Sequence, residues 1–397
     1  VNTGVASTFI PYGRHSLDET DIAAVVHVLR QGPLTQGPWV EAFERDVAAY
    51  VGARYAVAVS SGTAGLHLAC LAANLKPGDH AITTPNTFVA TANAVAYTGA
   101  TTVLADIHKD TLNLNPQSLL DILSRTDRVK AILPVHFAGL PCDMPAIREA
   151  AKKAGALVIE DSAHALGASY PQGGRVGNGA WSDITVFSFH PVKLIAAGEG
   201  GMITTNDERL YRRLLRLRSH GINKLDDPFE FKNQAVTDGQ TNPWYYEMQE
   251  LGFNYRITDI QAALGSSQMK RIDQFLERRL ALVQRYDAAF ENTEHVTRVQ
   301  SAGRLQSAHH LYILRIAFDR LNMTRTALMH KLRESGIGTQ VHYIPVYKHP
   351  YHQHQGHSAK NFPETERYYD EALTLPLYYG LTDADQDHVI ATLKSLL

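Results

Sequence analysis

The sequence predicts an α/β fold, a mostly parallel sheet followed by a smaller C-terminal α+β domain, and three observations carry that prediction. Between about residues 55 and 205 short β-rich runs alternate with helical stretches, the pattern of strands joined by helical crossovers. Prolines and glycines fall between the runs, so that each helix has a stop before the next strand. After Gly252 the texture changes to a long helical pattern and then to mixed strand and helix.

The elements follow in order. Tyr55–Val59 reads as the first strand, and 64–75 as a helix broken by Pro77-Gly78-Asp79. Residues 81–83 and 102–105 read as strands around a helix over 88–97 that stops at Gly99. Residues 131–135 and 157–159 are further strands around the helix Met144–Ala154, which stops at Gly155. Apolar residues at Ile260, Leu264, Ile272, Phe275, Leu276, Leu280 and Val283 recur at helical spacing, so 258–292 reads as a connecting helix. Beyond it, 310–318 reads as a strand, 325–335 as a helix and 388–396 as a closing helix. The division is a large domain over 1–257, then the connecting helix and small domain over 258–397. The polar stretch 222–247 is long enough to be a functional loop, an active-site flap or a dimer arm.

With 397 residues and 44% hydrophobic content the chain can bury a large core. Lys plus Arg number 38 against 40 Asp plus Glu, which provides no broad field for nucleic acid or an anionic membrane. No apolar run reaches the roughly 18 to 20 residues that cross a bilayer. The start Val1-Asn2-Thr3-Gly4 lacks a signal pattern, so a cytoplasmic location is expected. Cys70 and Cys142 make neither a disulfide framework nor a metal spacing and read as packing residues.

Chemistry concentrates at Val186-Phe187-Ser188-Phe189-His190-Pro191-Val192-Lys193, followed by Gly198-Glu199-Gly200-Gly201. A lysine is usually a solvated surface residue, but Lys193 follows an apolar aromatic strand and precedes a glycine-rich turn. A partly desolvated amine has a lowered pKa and becomes a nucleophile able to form a Schiff base. In Leu157-Val158-Ile159-Glu160-Asp161-Ser162-Ala163-His164 a strand of buried type ends in a carboxylate, with an imidazole three residues on. Asp161 reads either as a helix N-cap or as the acidic partner that keeps a pyridinium nitrogen protonated. His164 reads as a turn cap or as a donor to that ring's phenolic oxygen. Ser60-Ser61-Gly62-Thr63-Ala64-Gly65-Leu66 is a strand-to-helix junction whose amides and dipole suit an anion, and Ser188 adds a hydroxyl. Without a Walker lysine it is no triphosphate site. Phe88 reads as core packing or as a ring stacked on the same ligand.

These residues resemble the fold-type I aminotransferases that act on nucleotide-linked sugars, the family named for DegT, DnrJ, EryC and StrS. The likeness covers nearly the whole chain. It rests on Ile10-Pro11-Tyr12-Gly13-Arg14, Thr87-Phe88-Val89-Ala90-Thr91-Ala92-Asn93, Pro134-Val135-His136-Phe137-Ala138-Gly139, Ser188 to Lys193 with Gly198 to Gly201, and Gly252-Phe253-Asn254-Tyr255-Arg256. The resemblance implies helices on both faces of the sheet and a pyridoxal 5′-phosphate cofactor that passes through pyridoxamine 5′-phosphate. It implies Lys193 as the Schiff-base lysine, Asp161 as pyridinium partner and His164 as phenolate neighbour. Thr63, Ala64 and Ser188 would hold the phosphate. It further implies a homodimer with shared sites, in which Asn254 reaches the cofactor phosphate of the opposite subunit.

Arg256 would meet an anionic group of donor or nucleotide, the competing reading being a structural ion pair. His342 and Tyr343, in His342-Tyr343-Ile344-Pro345, would lie near the sugar. Within the family the motifs point to the branch that aminates C4 of a UDP-linked 4-keto-6-deoxy sugar for pseudaminic acid, with glutamate as donor. Rival readings are a different keto sugar or nucleotide, and a non-catalytic regulator on the same fold. The dehydratase branch carries histidine where this chain has Lys193.

Two departures from the family stand out: Leu194-Ile195-Ala196-Ala197 where relatives carry threonines, and Gly65 where alanine is usual, which should loosen the first turn of the phosphate helix. His349, His352, His354 and His357 cluster in a segment that looks like an exposed loop. No metal is expected there, and the histidines would instead line the sugar-nucleotide entrance.

Overall fold

In the computed structural model residues 9–224, 227–356 and 359–397 are described. The start read for a signal pattern and His357 lie outside them. The N-terminal part runs α1 (Glu19–Gln31), α2 (Pro38–Val51), β1 (Tyr55–Val59), α3 (Gly62–Ala72), β2 (His80–Thr83), α4 (Val89–Ala96), β3 (Thr101–Leu104), α5 (Pro116–Leu123), β4 (Val129–Leu133), α6 (Met144–Ala154), β5 (Leu157–Asp161), β6 (Ile184–Ser188), β7 (Gly201–Thr205) and α7 (Glu208–Arg218). The seven strands form one sheet in the order β1-β7-β6-β5-β4-β2-β3. Every neighbouring pair is parallel except the two that involve β7.

Continuous apolar runs such as Leu-Val-Ile in β5 are what a sheet covered on both faces needs. On one face Phe43 and Val47 of α2, Leu119 of α5 and Ile147 of α6 close a core over Ala58, Val158 and Phe187. On the other, Leu68 of α3, Val95 of α4 and Leu214 of α7 close a second core over Val57, Ile159 and Val186. The carboxyl ends of β1, β5 and β6 and the amino end of β7 come together at one edge, where ligands sit in such sheets.

Glycines permit the closest contacts at that edge. A Cβ on Gly62 would lie 2.9 Å from Ser188 Cβ, and one on Gly65 would lie 2.8 Å from Val186 Cγ1. Gly65 thus lets α3 settle onto β6, a packing reason that its helix propensity does not reveal.

The long helix expected over 258–292 is two helices, Asp259–Met269 and Ile272–Phe290. Arg271 leaves the helical conformation between them, with φ −114° and ψ 6°. Its guanidinium pairs with Asp18 at 2.7 Å and with Asp21, so α1 fixes the break. A three-stranded antiparallel sheet follows, Val296–Arg298, Tyr312–Ile316 and Ala372–Leu375. Its core joins Leu282 and Tyr286 of the second helix to Leu328, Leu332, Val389 and Leu393. Cys70 and Cys142 are buried and free.

The stretch 222–247 is exposed but not structureless. Ile222–Asn223 pairs with Glu247–Met248, and Val236–Thr237 pairs with Gln240–Thr241. Phe231, Trp244, Tyr246 and Met248 lie open on or beside it. The histidine segment is no exposed loop at His352, which is buried in the short helix Pro350–Gln353.

Behind β5 sits a buried polar knot. Glu160 accepts from Tyr170 Oη at 2.7 Å and from Thr185 Oγ1 at 3.4 Å, and it pairs with His136 Nε2. Because His136 Nδ1 accepts the Cys142 amide at 3.1 Å, Nε2 carries the proton toward Glu160. Burial alone would raise the Glu160 pKa, but the facing imidazole and hydroxyls outweigh it and hold the carboxyl low. Glu160→Ala should cost about 3–5 kcal/mol of stability, because it orphans these donors in the core. Urea unfolding measures this, and an unchanged midpoint would show that the knot does not hold the strand end.

Candidate active site

A cavity of about 430 Å³ opens at the carboxyl edge of the sheet. Its walls include Thr63, Phe88, Asp161, His164, Ser188, Lys193, His342 and Tyr343. The sequence-predicted residues that it brings together come from five separate stretches of chain. Ala64 sits just behind Thr63, its amide donating to the N-cap hydroxyl of Ser61 at 3.1 Å. That leaves the Gly62 and Thr63 amides at the α3 N-terminus, beside the Ser188 hydroxyl, for an anion.

Asp161 ends β5 with its carboxylate fixed on both oxygens. Thr91 Oγ1 of α4 donates to Oδ2 at 2.6 Å, and the Ala163 amide donates to Oδ1 at 3.1 Å. Thr87 Oγ1 stands 2.7 Å behind Thr91 Oγ1. A turn, not a helix, follows Asp161, so the N-cap reading gives way to a carboxylate aimed into a cavity. Phe88 is 57% exposed, which removes the core-packing reading. It stands at the cavity with its ring 5.9 Å from that of Tyr343.

The electrostatics sort the bases. Burial pushes the Lys193 amine down to about 8, while the Asp161 carboxylate pulls it partly back. Burial, aided by the charge of Lys193, holds His164 well below the usual histidine range and His342 down at about 3. His310 is also held well below, first by burial and then by His164 and Lys193. The imidazoles are therefore neutral near pH 7, and Lys193 is the group poised to exchange a proton there.

His164 Nε2 lies 3.1 Å from Tyr343 Oη, and its buried Nδ1 has no partner. An unpaired buried nitrogen asks for a ligand atom. With the carboxylate, the helix N-terminus and the lysine, it matches the ring, phosphate and aldehyde of pyridoxal phosphate.

Two predicted residues fall elsewhere. Asn254 is exposed, its backbone bridged to Ser219, and neither it nor Arg256 lines the cavity. The ion-pair reading of Arg256 is not met either: it has no carboxylate partner among the described residues. His349, His352 and His354 also lie off the cavity wall, contrary to the entrance expected of them. Tyr12, Thr91, Glu199 and His310 were not singled out from sequence. Of these, Tyr12, Thr91 and Glu199 lie inside the quoted motifs, which is the signal that could have found them.

A lysine of lowered pKa, a strand-end carboxylate and a phosphate cradle on this sheet define a fold-type I enzyme that uses pyridoxal phosphate, and comparison with known proteins specifies it as a sugar aminotransferase. The chain belongs to the DegT/DnrJ/EryC1/StrS aminotransferase family, which matches residues 15–394. It is 41% identical over 395 residues to the spore coat polysaccharide biosynthesis protein SpsC of Bacillus subtilis, covering 98% of this chain and 97% of that one. PseC of Helicobacter pylori, an aminotransferase involved in the biosynthesis of pseudoaminic acid, superposes with a TM-score of 0.88. The two are 29% identical, with 98% of this chain and 99% of PseC covered. A Streptococcus pneumoniae protein described as a sugar aminotransferase superposes in its PLP form with a TM-score of 0.86, at 28% identity and 98% coverage of both chains. Its PMP form superposes at 0.87.

Proposed function

We propose that this enzyme moves an amino group from L-glutamate to C4 of a nucleotide-linked 4-keto-6-deoxy sugar, UDP-2-acetamido-2,6-dideoxy-β-L-arabino-hex-4-ulose, for pseudaminic acid. The carrying observation is Lys193 with its pKa near 8, facing Asp161 in a cavity with an anion-binding helix end. Similarity to PseC over nearly the whole chain supports the sugar.

When bound, pyridoxal phosphate supplies an electron-withdrawing ring that carries the amino group between the two half-reactions. The α3 amides, Thr63 and Ser188 would hold its phosphate, and Asp161 would keep a proton on the ring nitrogen. His164 donates to the phenolic oxygen through Nδ1 if Tyr343 donates to Nε2. Lys193 would hold the cofactor's aldehyde carbon, and its Nζ is the group placed to take the proton from the donor carbon and to return one at C4 of the sugar. Phe88, on the cavity wall, would cover the ring. His342 and Tyr343 face the sugar.

The protein works as a cytoplasmic homodimer on this reading, and the placement of two residues supports it. Asn254 is exposed, free to reach a partner's phosphate, and Arg256 has no carboxylate partner among the described residues, so it is available to donor or nucleotide.

The 41% identity to a protein named for spore coat polysaccharide biosynthesis favours a second reading, a different keto sugar destined for a surface polysaccharide. The test supplies UDP-, GDP- and dTDP-linked keto sugars with glutamate and identifies the product by NMR. Amination of the UDP-linked L-arabino hexulose at C4 supports the first reading, and preference for another sugar or for C3 overturns it.

The lysine also predicts a pH profile. From pH 7 to pH 9 the neutral fraction of an amine with its pKa at about 8 rises about tenfold, so capture of pyridoxal phosphate by the cofactor-free protein should accelerate about tenfold. Stopped-flow absorbance measures it. A rate still climbing steeply toward pH 10 would mean that the amine is unperturbed.

A further inference from the structure

Arg279 is 2% exposed, in the middle of the helix Ile272–Phe290, and the catalytic reading does not use it. No carboxylate among the described residues pairs with it, and its Nε has no partner. Its Nη1 instead donates to three carbonyls, His309 at 3.1 Å, His310 at 3.3 Å and Leu377 at 3.1 Å. A buried cation without a counterion is costly, so the arrangement is not explained by stability alone.

The three carbonyls belong to the backbone that builds one wall of the cavity. His310 lines the cavity with its ring 4.2 Å from that of His164, and its amide donates to Ala138 O at 2.9 Å. The Leu377 amide donates to Tyr12 O at 3.0 Å, and Tyr12 lines the cavity as well. Thr374, three residues before Leu377, holds His342 Nδ1 at 2.9 Å. Tyr286, two turns along the same helix, donates to Pro376 O at 3.0 Å and seconds the grip. Gly139 closes the back, since a Cβ there would lie 2.9 Å from His309 N and 3.1 Å from His164 O.

We propose that Arg279 is a positioning residue of the active site, a buried clasp that sets the wall presenting His310, Tyr12 and His342 to the reacting sugar. The inference rests on the reading that donor and keto sugar react in this cavity. Of the cofactor-binding groups only His164 touches the clasped wall, through His310, while Lys193, Asp161, Ser188 and the α3 N-terminus are held by the sheet and its edge, so loss of the clasp should lower substrate use far more than cofactor binding.

The test compares Arg279→Met and Arg279→Lys with the parent, each as the cofactor-loaded full chain. In Arg279→Met the His310 and Leu377 amides should exchange with deuterium faster while those of β5 and β6 keep the parent rate. The bound-cofactor absorbance should stay, and kcat/KM for the keto sugar should fall about 100-fold, the scale of a misplacement near 1 Å. Arg279→Lys, which can still reach part of the carbonyl set, should recover a measurable part of that loss. Unchanged exchange at the two amides, unchanged kcat/KM, or a loss that follows release of cofactor would each overturn the proposal. If Arg279→Met does not fold, Arg279→Lys against the parent gives the same readings in smaller measure. If the parent itself aminates no keto sugar, the assigned function fails, and the exchange pattern still decides for or against the clasp.

Discussion

Lys193→Ala should lower turnover by at least about 10⁴-fold, the upper range for loss of one acid–base group, because the nucleophile and the proton carrier vanish together. The fold should survive the change. Lys193 lies in a turn held by its own amide to His190 O at 2.8 Å, a backbone contact that alanine keeps. Removing an amine that burial keeps near 8 also relieves a desolvation cost, so the melting temperature of the cofactor-free variant should not fall.

Lys193→Arg isolates the cause. Arginine keeps a cation beside Asp161 but neither deprotonates near neutral pH nor forms the cofactor bond, so it should be as inactive as alanine. Single-turnover absorbance with glutamate reads the first half-reaction, and normal turnover in either variant would refute the lysine's assignment. A variant that binds cofactor, shows no lysine linkage in its visible spectrum and fails both half-reactions is the expected result.

The residues that proved legible in the sequence are those whose chemistry contradicts their local setting. Lys193 after an apolar strand and Asp161 at the end of another are costly placements, and cost without local reason points to a site. The alternation of strands and helices was equally readable where a break carries a proline or glycine, as at Pro77-Gly78, Gly99 and Gly155, whereas α5, which ends at Ser124 without either, was not read.

What stayed hidden depends on distant partners. The break at Arg271 is set by Asp18 and Asp21, some 250 positions away, and nothing in the helical periodicity of 258–292 announces it. Helices α1 and α2 escaped notice although Asp18 begins a capping box, and α2 owes its start to Asp259, which accepts the Gly37 amide at 2.8 Å. His310 reads from sequence only as the start of the strand over 310–318. Only the packing of 137–139 against 309–310 brings it over His164. For Phe88 the sequence leaves core packing and ring stacking both open, and only the structure, with the ring exposed at the cavity, chooses between them.

Asp161→Asn should lower kcat about 10²- to 10³-fold, the scale seen when one preorganised electrostatic contact is removed, while the cofactor still binds through its phosphate. Asparagine fits the same space, but its neutral amide no longer holds a proton on the ring nitrogen, so the ring draws electrons less well. Thr91→Val tests the same contact from behind. It frees Oδ2 from the hydroxyl at 2.6 Å yet leaves the charge and the Ala163 amide in place, so its loss should be much the smaller.

A purely structural role for Asp161 would also lower activity, and the lysine distinguishes the two. The Asp161 carboxylate is what raises the Lys193 pKa against burial, so in Asp161→Asn that pKa must drop below about 8. Cofactor capture should then reach its plateau at a lower pH than in the parent, although catalysis is slower. In Thr91→Val the charge remains and the capture profile should keep its midpoint. A midpoint unmoved in Asp161→Asn would show that the carboxylate does not face the amine, and its assignment as the ring partner would go with it.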